Sequence, residues 1–295
     1  MKRFAGRPRR LAFLGTPAVA VPPLRALAQE GFEIVAAVTN VDKRRGRGNE
    51  LVPSPVKQAA AELGIPTVHR VDALLELDPL PDLGVVVAFG RLIKPHVLQQ
   101  IPMVNLHFSL LPRWRGAAPV ERALLAGDEV TGVCVMEVAE GLDTGDVFAR
   151  AEVAIEPDDT LASLRERLVE IGTRLLVDEL TAGLGTPVPQ EGEALYAAKI
   201  DPAELRIDWT RPAAEIDRLV RLGGAWTTLA GKRLKVIAAL PQGDGPPAGT
   251  LVAGVAGTGI GGLRLVSVQP QGKAAMPWSS FANGARLPEP ALFDA

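Results

Sequence analysis

Residues 84–89, Gly-Val-Val-Val-Ala-Phe, form an unbroken apolar run. A strand with one wet face alternates polar and apolar side chains, so a run of this kind suits a central strand covered on both faces. Outward from it toward the N-terminus, Leu11–Gly15 and Glu33–Thr39 are two more β-rich runs. Between them lies a helical pattern over Val19–Glu30, with Pro22 and Pro23 in its first turn and Gly31 at its stop. Ser54 is placed to cap a helix that begins at Pro55 and stops at Gly64. Toward the C-terminus, Val104–Ser109 and Gly132–Val138 read as strands flanking a helix over Pro119–Ala126. This alternation predicts an α/β fold with a Rossmann-like, doubly wound, mostly parallel sheet. Thr160 then opens a longer helix in which Leu161, Leu164, Leu168, Ile171 and Leu175 recur at helical spacing before Gly183 and Gly185.

Beyond that helix the texture changes. Leu184 to about Leu205 shows no sustained period and holds Pro187, Pro189 and Pro202. A short helix near Ala213–Leu222 follows, then β-like runs at Arg233–Ala239, Thr250–Ala253 and Leu263–Val268 separated by glycine and proline. The pattern predicts a first domain over residues 1–188, a linker over 189–205 and a small OB-like β-barrel over 206–295. A chain of 295 residues with 47% apolar content has room for a packed core in each domain.

Composition excludes several functional classes. The 32 basic and 34 acidic residues nearly cancel, which argues against an indiscriminate nucleic-acid binder. Residues 206–295 carry ten basic and six acidic side chains, a net +4 against −6 for the remainder, consistent with an anionic macromolecular partner for the barrel. One cysteine rules out an internal disulfide, and with only three scattered histidines no clustered zinc ligands are expected. No segment reaches the roughly 18 apolar residues of a membrane span, so the chain is expected to be cytoplasmic, with no membrane partner. The basic start, MKRFAGRPRR, reads as a solvated arm.

Nucleotide motifs are weak. Gly15-Thr16-Pro17 after the first strand has neither the three-glycine turn nor a lysine-bearing phosphate loop, and the spaced Gly257, Gly259 and Gly262 lie among strands, as in a hairpin turn. The informative stretch is Val104–Asp146. Asn105 and His107 are two apart and therefore share one face of a strand, where an amide donor and an imidazole suit stabilisation of an oxyanion during acyl transfer. A carboxylate should orient the imidazole, with Asp143 in Gly-Leu-Asp-Thr-Gly-Asp the first candidate and Asp146 the second. Gly-x-Ser-x-Gly is absent, which disfavours a serine hydrolase, and Cys134 sits in an apolar run as a core residue. His69 and His96, without polar neighbours in sequence, read as structural or exposed. Asp42–Gly48 forms a basic loop at the same sheet edge as the proposed cleft, and Trp114, between Arg113 and Arg115, suits either core packing or stacking on a ligand.

Residues 105–119, Asn-Leu-His-Phe-Ser-Leu-Leu-Pro-Arg-Trp-Arg-Gly-Ala-Ala-Pro, together with Gly141–Asp146, resemble the methionyl-tRNA formyltransferase family. The resemblance extends to Phe13–Pro17, Gly46–Gly48 with Pro53–Lys57, Arg206–Trp209 and Gln269–Met276. It implies an enzyme that moves the formyl group of 10-formyltetrahydrofolate, without a metal, to the methionine amine of initiator tRNA in translation initiation. It also implies that Asn105, His107 and Asp143 are catalytic. Ser109, Leu110, Leu111 and Pro112, with Arg91, Leu92 and Ile93 and the loop Ala139, Glu140, Gly141 and Leu142, would line the folate pocket. Lys43, Arg44, Arg45 and Arg47 would meet the tRNA acceptor end, the barrel would meet the tRNA backbone, and the chain would act as a monomer. Arg221–Trp226 departs from the family by lacking an Asn-Pro pair beside Gly223 and Gly224. Two other readings compete: formylation of a small amine such as a nucleotide-sugar or glycinamide ribonucleotide, and a non-catalytic tRNA-binding protein.

Overall fold

The computed structural model describes residues 4–45 and 50–294. They gather into two units. One holds the chain up to Pro119 with Val130–Ala154 and Arg165–Ala197, and the other holds Val120–Glu129, Ile155–Leu164 and the chain from Ala198 onward.

The strands up to residue 197 are, in chain order, β1 (Arg10–Gly15), β2 (Glu33–Val38), β3 (Lys43–Arg45), β4 (Glu50–Val52), β5 (Thr67–Val68), β6 (Leu83–Val87), β7 (Met103–His107), β8 (Arg115–Gly116), β9 (Val130–Glu137), β10 (Val147–Ala154) and β11 (Tyr196–Ala197). The helices are α1 (Val21–Gln29), α2 (Pro55–Glu62), α3 (Pro95–Leu98), α4 (Pro119–Ala126) and α5 (Leu161–Ala182). Seven strands form one sheet in the order β10-β9-β7-β6-β1-β2-β5. The five from β7 to β5 are parallel, and β6 is buried along its whole length, as its apolar run requires. The strand at Gly132–Val138 is present but antiparallel to β7, and a further edge strand, β10, pairs with it. The doubly wound, mostly parallel sheet is therefore the fold of this unit, with two antiparallel strands on one side.

Local signals account for much of this. Ser54 caps α2 through its Oγ, which accepts from Lys57 N at 3.1 Å, and Pro55 holds the first helical position. One sheet face buries Ala12, Leu14, Ala36, Val38, Val86 and Met103 against Leu74, Val97, Leu98 and Ile101. The other face of β7 and β9 meets α5 closely, since a Cβ at Gly172 would lie 3.2 Å from Leu106 and 3.3 Å from Val133.

The second unit carries α6 (Ala213–Leu222), β12 (Trp226–Leu229), β13 (Lys232–Gln242), β14 (Thr250–Val252), β15 (Val255–Gly257), β16 (Gly262–Pro270), β17 (Met276–Pro277), α7 (Trp278–Ala285) and β18 (Ala291–Asp294). All strand pairs are antiparallel, and the ring β13-β12-β18-β14-β15-β16 closes because β13 also pairs with β16. Two hairpins turn on Ala-Gly pairs, Ala230-Gly231 and Ala253-Gly254, with positive φ at both residues, the backbone that matches strand twist in a two-residue turn. Gly257 and Gly262 pair across the β15–β16 hairpin, so the three spaced glycines are a turn and no phosphate loop. In the core Trp209 stacks on Phe293 at 4.2 Å and donates through Nε1 to Thr227 Oγ1 at 3.0 Å. Where the Asn-Pro pair is missing, Gly223 and Gly224 take positive φ after α6 and deliver buried Ala225 and then Trp226 into β12.

Candidate active site

Asn105 and His107 lie on one face of β7, alternating with the buried Val104 and Leu106. Both backbone edges of the strand are paired: Val86 lies beside Asn105 on β6, and Met136 and Cys134 lie beside Asn105 and His107 on β9. The two side chains are thus set by the sheet itself. Cys134 is fully buried, and burial pushes its thiol pKa up, which fits a packed residue and leaves no thiolate for chemistry.

After His107 the chain turns back over the same face. Ser109 is fully buried and its Oγ donates to Arg113 O at 2.6 Å, while Leu111 packs with Cys134, Met136 and Val147. The turn presents Trp114 O to His107 Nε2 at 2.9 Å. Trp114 itself has φ +64 and is half-buried, with the Arg113 guanidinium 4.8 Å from its ring.

The third group arrives from the loop between β9 and β10. Asp143 Oδ1 accepts from Asn105 Nδ2 at 3.4 Å, Oδ2 accepts from Gly116 N at 2.8 Å, and Oδ2 lies 3.7 Å from His107 Nδ1. That last distance allows electrostatic pairing but exceeds a hydrogen bond. The base of the loop is closed by Glu137 N donating to Asp146 O at 2.8 Å. Gly145 is required there, because a Cβ would fall 1.8 Å from Glu137 O. Of the two candidate aspartates, Asp143 is the one whose carboxylate meets Asn105 and His107, whereas Asp146 serves the base of its loop through its backbone.

The remaining expected residues are distributed as follows. Arg91–Ile93 leave the end of β6, next to β7 at the same sheet edge; Leu92 is 74% exposed, Arg91 donates to His69 O at 2.8 Å, and Ile93 is packed in the core. Ser109, Leu111 and Ile93 turn their side chains inward, away from solvent. In the Asp143 loop Ala139 is half-buried, while Glu140, Gly141 and Leu142 form the exposed crest, with Leu142 55% exposed. Leu110 is half-buried and packs toward Gly132, and Pro112 follows a cis peptide.

Within the basic loop Lys43, Arg44 and Arg45 form β3, paired antiparallel with β4. It follows β2 at the sheet edge where β7 also ends, three strand spacings away, or about 14 Å. Arg47 lies outside the described residues, as do the side chains of Lys43 and Arg45. His96 does have a polar partner, since Nε2 sits 2.5 Å from Asp72 Oδ1, and this hydrogen bond lowers the Asp72 pKa. His69 Nδ1 is bonded to Thr39 O at 3.0 Å.

Three contributors were not legible in the sequence: the Gly116 N–H, the Trp114 carbonyl and Gln190. Gln190 bridges Arg115 to the backbone of the Asp143 loop, from a proline-flanked stretch without periodicity. Among the described residues no group of three or more His, Cys, Asp or Glu is gathered in a way that could hold a metal ion, and no helix is long and apolar enough to cross a membrane.

Residues 9–180 match the family model described as formyl transferase, and residues 199–286 match the formyl transferase C-terminal domain. A methionyl-tRNA formyltransferase of Arthrobacter sp. (strain FB24) is 43% identical over 97% of this chain and 100% of its own length. One of Leifsonia xyli subsp. xyli is 45% identical over 94% of this chain and 97% of its own. Among solved structures, HypX from Aquifex aeolicus in complex with tetrahydrofolic acid superposes with TM-score 0.64 at 19% identity, over 94% of this chain and 47% of that one. An N-formyltransferase from Helicobacter canadensis, in complex with folinic acid and dTDP-3-aminofucose, gives TM-score 0.64 at 17% identity over 86% and 98%. At such identities the structural matches speak for the fold alone.

Proposed function

The chain belongs to the methionyl-tRNA formyltransferase family, and from that premise we propose that it transfers the formyl group of 10-formyltetrahydrofolate to the α-amino group of methionyl initiator tRNA, serving translation initiation. One observation carries the reading: relatives of that activity align end to end with a chain in which Asn105, His107 and Asp143 converge.

The residues fit the formyl donor by chemistry. An amide and an imidazole suit an acyl oxygen, and exposed Leu92 and Leu142 offer apolar surface to a flat ring system. Bound 10-formyltetrahydrofolate supplies the one-carbon acyl group: the amine nitrogen bonds to the formyl carbon, the bond to N10 breaks, and the proton lost by the amine ends on N10. Asn105 Nδ2 donates to the oxygen as it becomes negative. His107 Nε2 donates its proton to Trp114 O, so Nδ1 is the nitrogen left to face the same oxygen, and it donates there when the imidazole carries its second proton. Asp143 stabilises the charged imidazole across 3.7 Å and moves the amine proton through water. Ser109–Pro112, Arg91–Ile93 and Ala139–Leu142 border the folate.

The same reading assigns catalysis to residues 1–188, a linker to 189–205 and tRNA binding to the barrel over 206–295, in a cytoplasmic monomer. The basic segment with Lys43, Arg44, Arg45 and Arg47 meets the acceptor end of the tRNA. The test is incubation with labelled formylfolate and methionyl initiator tRNA, elongator methionyl-tRNA or small amines. Label in initiator tRNA alone supports the reading, and label only in small amines overturns it. Arg47→Ala is expected to raise the KM for charged tRNA and to shrink its log-log salt slope by roughly 0.7–0.9, about one phosphate contact; an unchanged slope removes the segment from the interface.

A further inference from the structure

The side chain of Gln190 has every hydrogen-bonding position of its amide in use. Nε2 donates to Asp143 O at 2.9 Å and to Gly145 O at 2.7 Å, while Oε1 accepts from Arg115 Nε at 3.0 Å and Nη2 at 2.7 Å. The orientation of the amide follows from chemistry, since two carbonyls demand a donor and a guanidinium demands an acceptor.

The partners of this amide converge on one residue. Arg115 and Gly116 are adjacent in β8; Gly116 N holds the Asp143 carboxylate, and Arg115, through Gln190, holds the Asp143 carbonyl. Asp143 is thereby gripped at both ends, with its backbone at φ +50, a conformation that costs a non-glycine residue free energy unless its surroundings enforce it. The segment bearing Gln190 is itself anchored: Val188 exchanges two backbone hydrogen bonds with Val147 at 2.8 and 2.9 Å, and Tyr196–Ala197 pairs with β8. A half-buried glutamine on an anchored strap is suited to fixing a loop, and it touches none of the atoms that react.

We propose that Gln190 is a positioning residue for formyl transfer: it holds the backbone of Asp143 in the conformation that turns the carboxylate toward His107, with Arg115 fixing the amide. The proposal rests on the functional reading above. Misplacing a reacting group by about 1 Å costs on the order of 100-fold in rate, and the Gly116 contact remains when Gln190 is removed, so a smaller loss is expected.

The experiment compares the full chain with Gln190→Met, which keeps length and packing but removes the amide, and with Gln190→Glu, which still accepts from Arg115 but cannot donate to two carbonyls. Gln190→Met should lower kcat about tenfold with both KM values within twofold. In an Asp143→Asn background the same change should lower kcat no further, since residues that act as one unit are not additive. The kcat of Gln190→Glu relative to the unsubstituted chain should rise as pH falls and the new carboxyl gains a donor proton, an effect that loss of stability would not mimic. Unchanged kcat in Gln190→Met, a rise confined to the formylfolate KM, or full additivity with Asp143→Asn overturns the proposal. Amide hydrogen exchange gives a readout apart from turnover: residues 139–146 should exchange faster in Gln190→Met, and unchanged protection there counts against the clamp. Should the unsubstituted chain formylate no amine at all, the functional reading fails, while the exchange comparison still decides whether Gln190 holds the loop.

Discussion

Asn105 and His107 stand on a strand, whereas Asp143 stands on a loop, and the protein fixes the two kinds of group by different means. On β7 both neighbours are other strands, so the ladder places Asn105 and His107 without specific help from side chains. The loop from residue 138 to 146 has no such ladder, and its aspartate depends on Gly116 N, on Gln190 and on the closure at Gly145. A strand group should therefore be lost only by changing the group itself, while a loop group should be lost by changing what holds it.

Three substitutions test that contrast. Asn105→Ala removes one oxyanion donor and should lower kcat by about 100- to 1000-fold, with folate affinity and thermal stability nearly unchanged; steady-state kinetics with near-normal turnover would break the assignment. Gly145→Ala changes no functional group, yet it forces Glu137 O and the loop apart and should cost on the order of 100-fold in kcat. Circular dichroism should show the sheet intact, and full activity would mean that the loop tolerates displacement. Ser109→Ala breaks the half-buried bond to Arg113 O and should appear mainly as about 0.5–1.5 kcal/mol of stability in chemical denaturation, with a rate loss below tenfold. A larger rate loss than Gly145→Ala would invert the ranking and place the burden on the Trp114 turn.

What the sequence revealed follows the same division. The apolar run around Val85–Val87, the cap at Ser54 and the i, i+2 spacing of Asn105 and His107 are short-range signals, and each has its counterpart in the structure. Asp143 was legible from its glycine-rich surroundings and the family resemblance, although its left-handed backbone was not. β10 escaped notice because half-exposed residues alternate irregularly along it, and β12 and β15 because their hairpins turn on Ala-Gly, where the familiar Asn-Gly or Asp-Gly is absent. The inward turn of Ile93 and Leu111 was not legible, because each packs against residues distant in sequence. Gln190 was out of reach for the same reason: its partners lie 45 to 75 positions away, and no local pattern encodes a contact of that range.

The ring made when β13 pairs with both β12 and β16 has one further consequence. A strand paired on both sides offers no edge for another polypeptide to extend, as on the barrel surface at Leu234 and Lys235, where β13 pairs with β12 on one side and β16 on the other. Whatever lies against that surface must be recognised by the tips of its side chains, and point mutation can therefore retune the surface while the framework beneath it stays unchanged.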